Sequence, residues 1–341
     1  MKLLIVSDAT NFALTDVYNG YVNALEKLKI PFESHPYHHF RGICSDATCF
    51  HRIHSIALSK HKEFTHIMFI GGLNVPDYIF DSLYHIKSIV VATEDPHTFD
   101  PLKSKLDKID YYFSNERTIG DNPKYKNAYY CPTAGNPQEC GRIPREFLDD
   151  RYKSDILFLG AIYPNRRKLL ESIIPFVEKH KLSYKICGHV HYLPKKSPLW
   201  KYAFDVRTIP HIETIKYYNG AKVVLNILRD TKWNPRTKSG KNPYNRSRFG
   251  AESLNPRAYE VPLCQSFMLL EDTRAEAREI FTTDDVGFFN DEQSLLKELD
   301  FFLLKGGDDL LEGMAFRAYN KVSDHHTYFH RMLYIKSVLD S

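Results

Sequence analysis

Short apolar runs alternate with amphipathic stretches along almost the whole chain, and this alternation confines the fold to parallel sheets sheathed in helices. In the first half, residues 3–6, 65–70, 88–92, 111–114 and 128–131 read as strands, and 17–28 as an amphipathic helix. Unbroken apolar runs bounded by polar turns are what a strand buried on both faces requires. A polar segment, 141–153, precedes a second alternation. It contains strands at 155–159, 184–187 and 223–227, a helix at 166–180, and another helix beginning at 256–261. Late strands at 267–270 and 286–289 follow, then helical stretches at 293–304, 310–322 and 326–339. At 341 residues two domains are expected, and two doubly wound α/β domains with a cleft between them are the simplest architecture. No internal repeat or low-complexity tract is present.

Composition excludes little and agrees with this. Hydrophobic residues make up 43% and charged residues 26%, ordinary for a soluble globular enzyme. A net charge of +4 on this length does not by itself argue for nucleic acid. The opening run is too short for a signal peptide, and no run has the length of a membrane span. Six cysteines without a CxxC pair predict reduced thiols and a cytoplasmic protein. Cys44, Cys49 and His51 lack a fourth partner for a metal, and no metal site is expected. The remaining histidines form no ligand set.

Ligands of doubly wound sheets gather beyond the carboxyl ends of the strands, which places 7–10, Gly71-Gly72 and 93–98 on one rim. In the second half, Gly160 ends a strand and precedes a helix that opens with Arg166, Arg167 and Lys168. Cations are disfavoured at a helix N-terminus, so a bound diphosphate is one reason for them and a solvated basic turn is the other. Gly188 is another strand-end glycine, either an approach for a base or ribose or a plain tight turn. Asp95 and His97 sit at a strand end, where His97 could bond a transferred sugar and Asp95 orient an acceptor; an Asp-Pro turn is the plainer reading.

Glu252 and Glu260 lie eight positions apart around Asn255, Pro256, Arg257 and Tyr259. On an ideal helix that spacing turns the second acid roughly 80° from the first and sets it about 12 Å along the axis. Two acceptors so placed suit a ligand with hydroxyls at both ends, such as a nucleotide sugar. Residues 229–248 carry seven Lys and Arg against Asp230, with Trp233 and Tyr244 interleaved. This reads as a loop able to bind nucleic acid, to close over a diphosphate, or only to be solvated.

Several of these motifs together resemble the CgeB-like (spore-maturation-protein-like) glycosyltransferases. They are Thr93-Glu94-Asp95-Pro96, Tyr111-Tyr112-Phe113-Ser114-Asn115-Glu116, Cys131-Pro132-Thr133-Ala134, Phe158-Leu159-Gly160 with Arg166, Ile186-Cys187-Gly188, and Val224-Leu225-Asn226-Ile227. Ser253-Leu254-Asn255-Pro256-Arg257-Ala258-Tyr259-Glu260, Val286-Gly287-Phe288-Phe289 and His326-Thr327-Tyr328 with Arg331 complete the set. The resemblance implies a GT-B fold: two Rossmann-like doubly wound domains facing across a cleft. It divides the chain into an acceptor-side domain, 1–150, a nucleotide-sugar-binding domain, 151–322, and a helix, 323–341, that crosses back to the first. It implies a transferase that moves a sugar from a nucleotide-diphosphate donor to a hydroxyl, with retention slightly favoured and no metal required.

On this resemblance Glu252 meets the donor sugar and Glu260 the ribose, while Arg166 and Lys168 neutralise the diphosphate. From their positions in the sequence, Gly160, Gly188, Asn255 and Arg257 are added to the donor-binding set, and Asp95 and His97 join Glu252 as the expected catalytic residues. The acceptor is open between a modified base in DNA, approached through 229–248, and a surface or spore glycan. A non-catalytic nucleotide-sugar or nucleic-acid binder on the same fold is the alternative class. The chain departs from the family pattern at Gln265, where members often carry glycine, and Pro262 follows Glu260 closely enough to shorten its helix.

Overall fold

The structure is a computed structural model that describes residues 1–7, 15–35, 45–59, 63–190, 193–205, 209–232 and 242–341, except the side chains of residues 15, 46, 47, 49 and 205. Among the described residues, twelve strands run in chain order: β1 (Leu3–Ser7), β2 (Phe32–His35), β3 (His66–Ile70), β4 (Lys87–Val91), β5 (Tyr111–Ser114), β6 (Ala128–Tyr130), β7 (Ser154–Leu159), β8 (Tyr184–Gly188), β9 (Ala203–Asp205), β10 (Ala221–Asn226), β11 (Met268–Glu271) and β12 (Gly287–Phe289). The helices of the first half are α1 (Thr15–Lys27), α2 (Asp46–Leu58), α3 (Asp77–Ser82), α4 (Phe99–Lys103) and α5 (Arg117–Gly120). Those of the second are α6 (Pro164–Ser172), α7 (Ile174–His180), α8 (His211–Gly220), α9 (Arg257–Leu263), α10 (Ala275–Ile280), α11 (Glu292–Leu304), α12 (Asp308–His325) and α13 (Tyr328–Asp340).

The chain divides into two compact units. The first holds Met1–Ala134, Thr231–Ser253 and Tyr328–Ser341. Its six strands are all parallel in the order β2-β1-β3-β4-β5-β6. Period-two alternation sends Leu4 and Val6 to one face, with Phe50, Ile79 and Phe99 of the covering helices, and Leu3 and Ile5 to the other, with Tyr21 of α1 and Met332 of α13. Both faces are therefore buried, which is why these strands read as unbroken apolar runs.

The second unit holds Gly135–Asp230 and Leu254–Thr327, with the parallel order β12-β11-β10-β7-β8-β9. Ile156, Phe158, Val223, Leu225 and Leu269 pack on α6, α7 and α11; Leu157, Val224, Met268 and Leu270 pack on α8, α9 and α12. The chain begins this sheet at β7, runs outward through β8 and β9, then returns to place β10 on the other side of β7. The strand order reverses there, and the carboxyl ends of β7 and β10 are where a doubly wound sheet opens a ligand crevice.

Three local features differ from the sequence expectation. The helix expected over 166–180 is two, broken at Ile173, because Pro175 has no N–H for the preceding turn and sits instead at the start of α7. The edge strands β2 and β9 carry Glu33, Ser34 and Asp205, and so lack the apolar run that marked the others. The acidic pair does not share a helix. Backbone helix begins only at Arg257, so Glu252 precedes it in an irregular segment and the ideal-helix spacing does not apply.

Gly160, the residue after β7, touches Gly188, the last residue of β8. Gly160 and Gly188 have φ of 145° and 152°, and a Cβ on Gly188 would lie 2.1 Å from the Gly160 carbonyl oxygen. That neighbour is backbone and cannot swing aside. Gly188→Ala is expected to cost roughly 3 kcal/mol or more, from overlap and backbone strain together. Chemical denaturation checks it against Gly141→Ala, where an added Cβ meets nothing within 4 Å and stability should hold.

Candidate active site

Guanidinium groups crowd the carboxyl ends of β7, β10 and β11 in the second unit. Arg166, on the first turns of α6, is 6% exposed. Its Nε donates to the Ile227 carbonyl at 2.9 Å and its Nη1 to the Ala161 carbonyl at 3.0 Å. Arg257, first residue of α9, donates from Nη2 to the Leu159 carbonyl and from Nη1 to Asn226 Oδ1 at 3.3 Å. Its Nε has no hydrogen-bond partner among the described residues. Both guanidiniums lie over the Phe158 ring, at 5.6 and 5.4 Å. Arg229, just beyond β10, shares the Tyr163 ring with Arg166, at 4.9 and 5.3 Å. Arg274, just beyond β11, donates to the Arg229 carbonyl at 3.1 Å.

Burial first, then the like charge of Arg257, with Arg229 and Arg274 behind it, pulls the Arg166 guanidinium down to about 9. The acid that answers the cluster is Glu271, which accepts from the Leu228 N–H at 2.6 Å. Burial holds its carboxyl above the usual range against the pull of that hydrogen bond, Arg166 and Arg274.

Gly160 serves this cluster through the space it leaves. Its own N–H closes the ladder to the Cys187 carbonyl at 2.8 Å, so it is not offered to an anion. A Cβ there would sit 2.6 Å from Arg257 Nη2. Gly188 packs on the Gly160 carbonyl rather than facing a ligand. Asn255 and Asn226 exchange reciprocal amide bonds at 2.9 and 3.0 Å, and Asn255 Oδ1 accepts the Ala258 N–H at 3.3 Å, pinning the start of α9 to the end of β10.

Glu260 lies on α9 and is buried, and Tyr218 of α8 donates its hydroxyl to Oε2 at 3.3 Å. Burial, then the charge of Glu260, keeps that phenol protonated well above its normal range. Pro262 falls inside α9, which ends one residue after it, at Leu263, and leads into a tight turn. Gln265 there has φ of 52°, the left-handed region that favours glycine.

The first unit carries a separate polar group at the ends of β4 and β5. Asp95 is 3% exposed, and its Oδ2 accepts from Tyr112 Oη and Ser114 Oγ, each at 2.7 Å. Oδ1 has no hydrogen-bond partner among the described residues. Burial pushes this carboxyl up to about 6, against the pull of its two hydroxyl donors. His97 is also buried, and its carbonyl accepts from Asn242 Nδ2 at 3.1 Å. Glu252 is exposed, while its N–H is bound to the Glu116 carboxylate at 3.1 Å.

The expected residues thus fall into two groups. Gly160, Arg166, Gly188, Asn255, Arg257 and Glu260 belong to the second unit, and Asp95, His97 and Glu252 to the first. Lys168 stands apart from the guanidinium cluster: its side chain is 81% exposed and pairs with Glu292 at 2.7 Å. Sequence reasoning missed Arg274, Glu271, Asn226 and Tyr218 as site residues. Arg274 and Glu271 were reachable, since both follow a late strand at its carboxyl end; Tyr218 lay on a helix that the sequence reading did not mark. Residues 233–241 of the basic loop and Cys44 lie outside the described residues, as does the Cys49 side chain.

Two sheets of this topology define a GT-B fold, a pair of Rossmann-like doubly wound domains. The chain matches solved structures of that fold over its full length. Sucrose-phosphate synthase from Thermosynechococcus elongatus has a TM-score of 0.64 at 10% identity, covering 100% of this chain and 98% of that one. Anabaena Alr3699/HepE in complex with UDP-glucose has a TM-score of 0.62 at 8% identity, covering 100% and 99%. The chain belongs to the Glycosyl transferase-like family, which it matches over residues 166–337. Spore protein CgeB of Bacillus subtilis (strain 168) is 26% identical over 215 residues, 60% of this chain and 59% of that protein. The CgeB-like resemblance read from the sequence therefore holds. Among the described residues no helix is long and apolar enough to cross a membrane.

Asp95 yields a pH test. A carboxyl raised from 3.8 to about 6 in the folded chain favours folding while both states hold the proton, and that favour is lost as pH rises through 6. Between pH 4 and 7 the stability of the parent relative to Asp95→Asn should fall by on the order of 3 kcal/mol. Paired denaturant titrations across that range measure it; a difference independent of pH would contradict the assignment.

Proposed function

We propose that this protein is a glycosyltransferase that moves a sugar from a nucleotide-diphosphate donor to a hydroxyl acceptor. The observation that carries the reading is the convergence of Arg166, Arg257, Arg229 and Arg274 at the switch point of the second sheet. Burying like charges together is unfavourable unless an anion completes them, and a diphosphate is the anion a donor sugar brings. Family membership supports the class of reaction. The solved HepE complex with UDP-glucose supports a donor of that type.

In this reading the bond between the sugar's anomeric carbon and the diphosphate oxygen breaks, and charge grows on the leaving phosphate. Guanidinium groups already fixed by carbonyl hydrogen bonds stabilise that charge without reorganising. Glu260, oriented by Tyr218, accepts from the ribose hydroxyls. Glu252 contacts the donor sugar, and Asp95 with His97 serves the acceptor side. For stereochemistry we propose retention, on the pair Glu252 and Glu260. DNA with a hydroxylated base is a second acceptor reading, favoured by the exposed Arg246 and Arg248 in the described part of the basic loop. Binding to duplex DNA should then fall steeply with salt, and binding that ignores salt would remove it.

Release of free nucleotide from UDP-, GDP- and CMP-sugars tests the proposal, since a pure binding protein gives none. Saturating UDP at one hundred times its Kd should add about 2.7 kcal/mol of stability. Arg166→Gln should weaken UDP binding roughly 10- to 100-fold, the loss of a charge-assisted contact. Glu260→Ala should raise Kd for UDP, whereas Glu252→Ala should chiefly lower kcat. Parental kinetics in both glutamate variants would defeat the site.

A further inference from the structure

Glu116 is a fully buried carboxylate to which the reaction as proposed gives no part. It caps α5, where Oε1 accepts the Thr118 N–H and Oγ1 at 3.2 Å each. A cap serves its own helix. This carboxylate in addition accepts the Glu252 N–H on both oxygens at 3.1 Å, and the Ser253 N–H on Oε2 at 3.2 Å, from a segment 136 and 137 residues away in sequence. The neighbours of Glu116 grip the same segment. The Arg117 N–H donates to Ser253 Oγ at 3.1 Å, Ser253 Oγ donates to the Tyr130 hydroxyl at 3.1 Å, and the one proton of Thr118 Oγ1 lies between Glu116 Oε1 and the Gly250 carbonyl, which is 3.1 Å away. On its other side, the Glu116 N–H donates to Ser114 Oγ at 3.1 Å, and that hydroxyl donates to Asp95 Oδ2 at 2.7 Å.

We infer that Glu116 is a positioning residue: it clamps the main chain of residues 250–253 so that the exposed Glu252 side chain leaves the backbone in the direction the reaction needs. The role rests on the proposed contact of Glu252 with the donor sugar. Chemistry selects a carboxylate here. Each oxygen must receive donors and offer none, and an amide at the same place would turn an NH2 against backbone N–H groups. The chain Asp95, Ser114, Glu116, Glu252 also links the acceptor-side carboxyl to the donor-sugar segment within one unit. Displacing a reacting group by about 1 Å is enough to lose two orders of magnitude in rate.

The test uses the full chain and whichever panel donor the parent turns over fastest. Glu116→Gln should lower kcat by roughly 10- to 100-fold while Kd for UDP stays within about 3-fold. The double variant Glu116→Gln with Glu252→Gln should be no slower than Glu252→Gln alone, since Glu116 acts through Glu252. Hydrogen exchange at the amides of 252 and 253 should accelerate at least about tenfold in Glu116→Gln. Glu116→Asp keeps the charge, withdraws it by one methylene, and should show both effects in smaller measure, which separates loosening of the segment from general unfolding. Unchanged exchange at 252 and 253, or multiplicative losses in the double variant, would overturn the inference. So would a parental kcat in Glu116→Gln while Glu252→Gln is slow. If Glu252→Gln itself runs at the parental rate, the reading of Glu252 fails and this role falls with it.

Discussion

Everything attributed to the second unit depends on positive charge being held where it is electrostatically unwelcome. A guanidinium drawn down to about 9 carries a differential cost on the order of 5 kcal/mol against its charged form. An arginine with a purely architectural task would be expected against a carboxylate at close range. Arg166 and Arg257 instead hang on main-chain carbonyls of Ile227, Ala161 and Leu159. Those carbonyls fix the direction of each group but cancel little of its charge. Glu271 is shared among several cations and is itself held above the usual carboxylate range by burial. Groups oriented in this way need no reorganisation to meet an anion, which is the physical basis of the proposed diphosphate site.

The sheet makes this arrangement possible at small steric expense. β7 and β10 are neighbours although β8 and β9 intervene in sequence, so the chain leaves their ends in opposite directions and opens room there. Into that room come residues from four places: Arg166 after β7, Arg229 after β10, Arg274 after β11 and Arg257 at the start of α9. Gly160 lets Arg257 approach the strand end, Gly188 lets β8 pass beside Gly160, and the Asn226–Asn255 amide pair locks α9 to β10. One geometric condition, backbone without Cβ at two adjoining strand ends, permits the crowding of charge that follows from it.

The fold was legible where burial wrote it into the chain. Strands covered on both faces appear as apolar runs, and the central ones were readable to within a residue or two. Two of the four edge strands, β2 and β9, were not, since they carry polar residues, whereas the apolar edges β6 and β12 were. Pro175 was visible in the sequence, yet the helix period continues across it. The site was legible in its residue types and less so in its geometry. Arg166, Arg257 and Glu260 were recognisable from strand-end position and motif. The helical spacing of Glu252 and Glu260 was not real, because Glu252 belongs to a segment whose backbone bonds go to Glu116 rather than to a helix ladder. A contact between one carboxylate and amides 136 residues further on leaves no periodic trace, so no spacing rule could have supplied it.

Two acids close in sequence, Asp95 and Glu116, show how environment separates roles that residue type leaves equal. Both are buried at the ends of adjacent strands and both touch Ser114. Glu116 receives N–H donors on both oxygens, an arrangement that ties it to structure. Asp95 receives two hydroxyls on Oδ2 and none on Oδ1, and burial raises its carboxyl to about 6. The same functional group thus sits fully bonded in one place and half bonded in the other, and burial without full hydrogen bonding is what raises the second. The shared serine joins them, so Asp95 and the carboxylate that holds the Glu252 segment are fixed with respect to each other by a single hydroxyl.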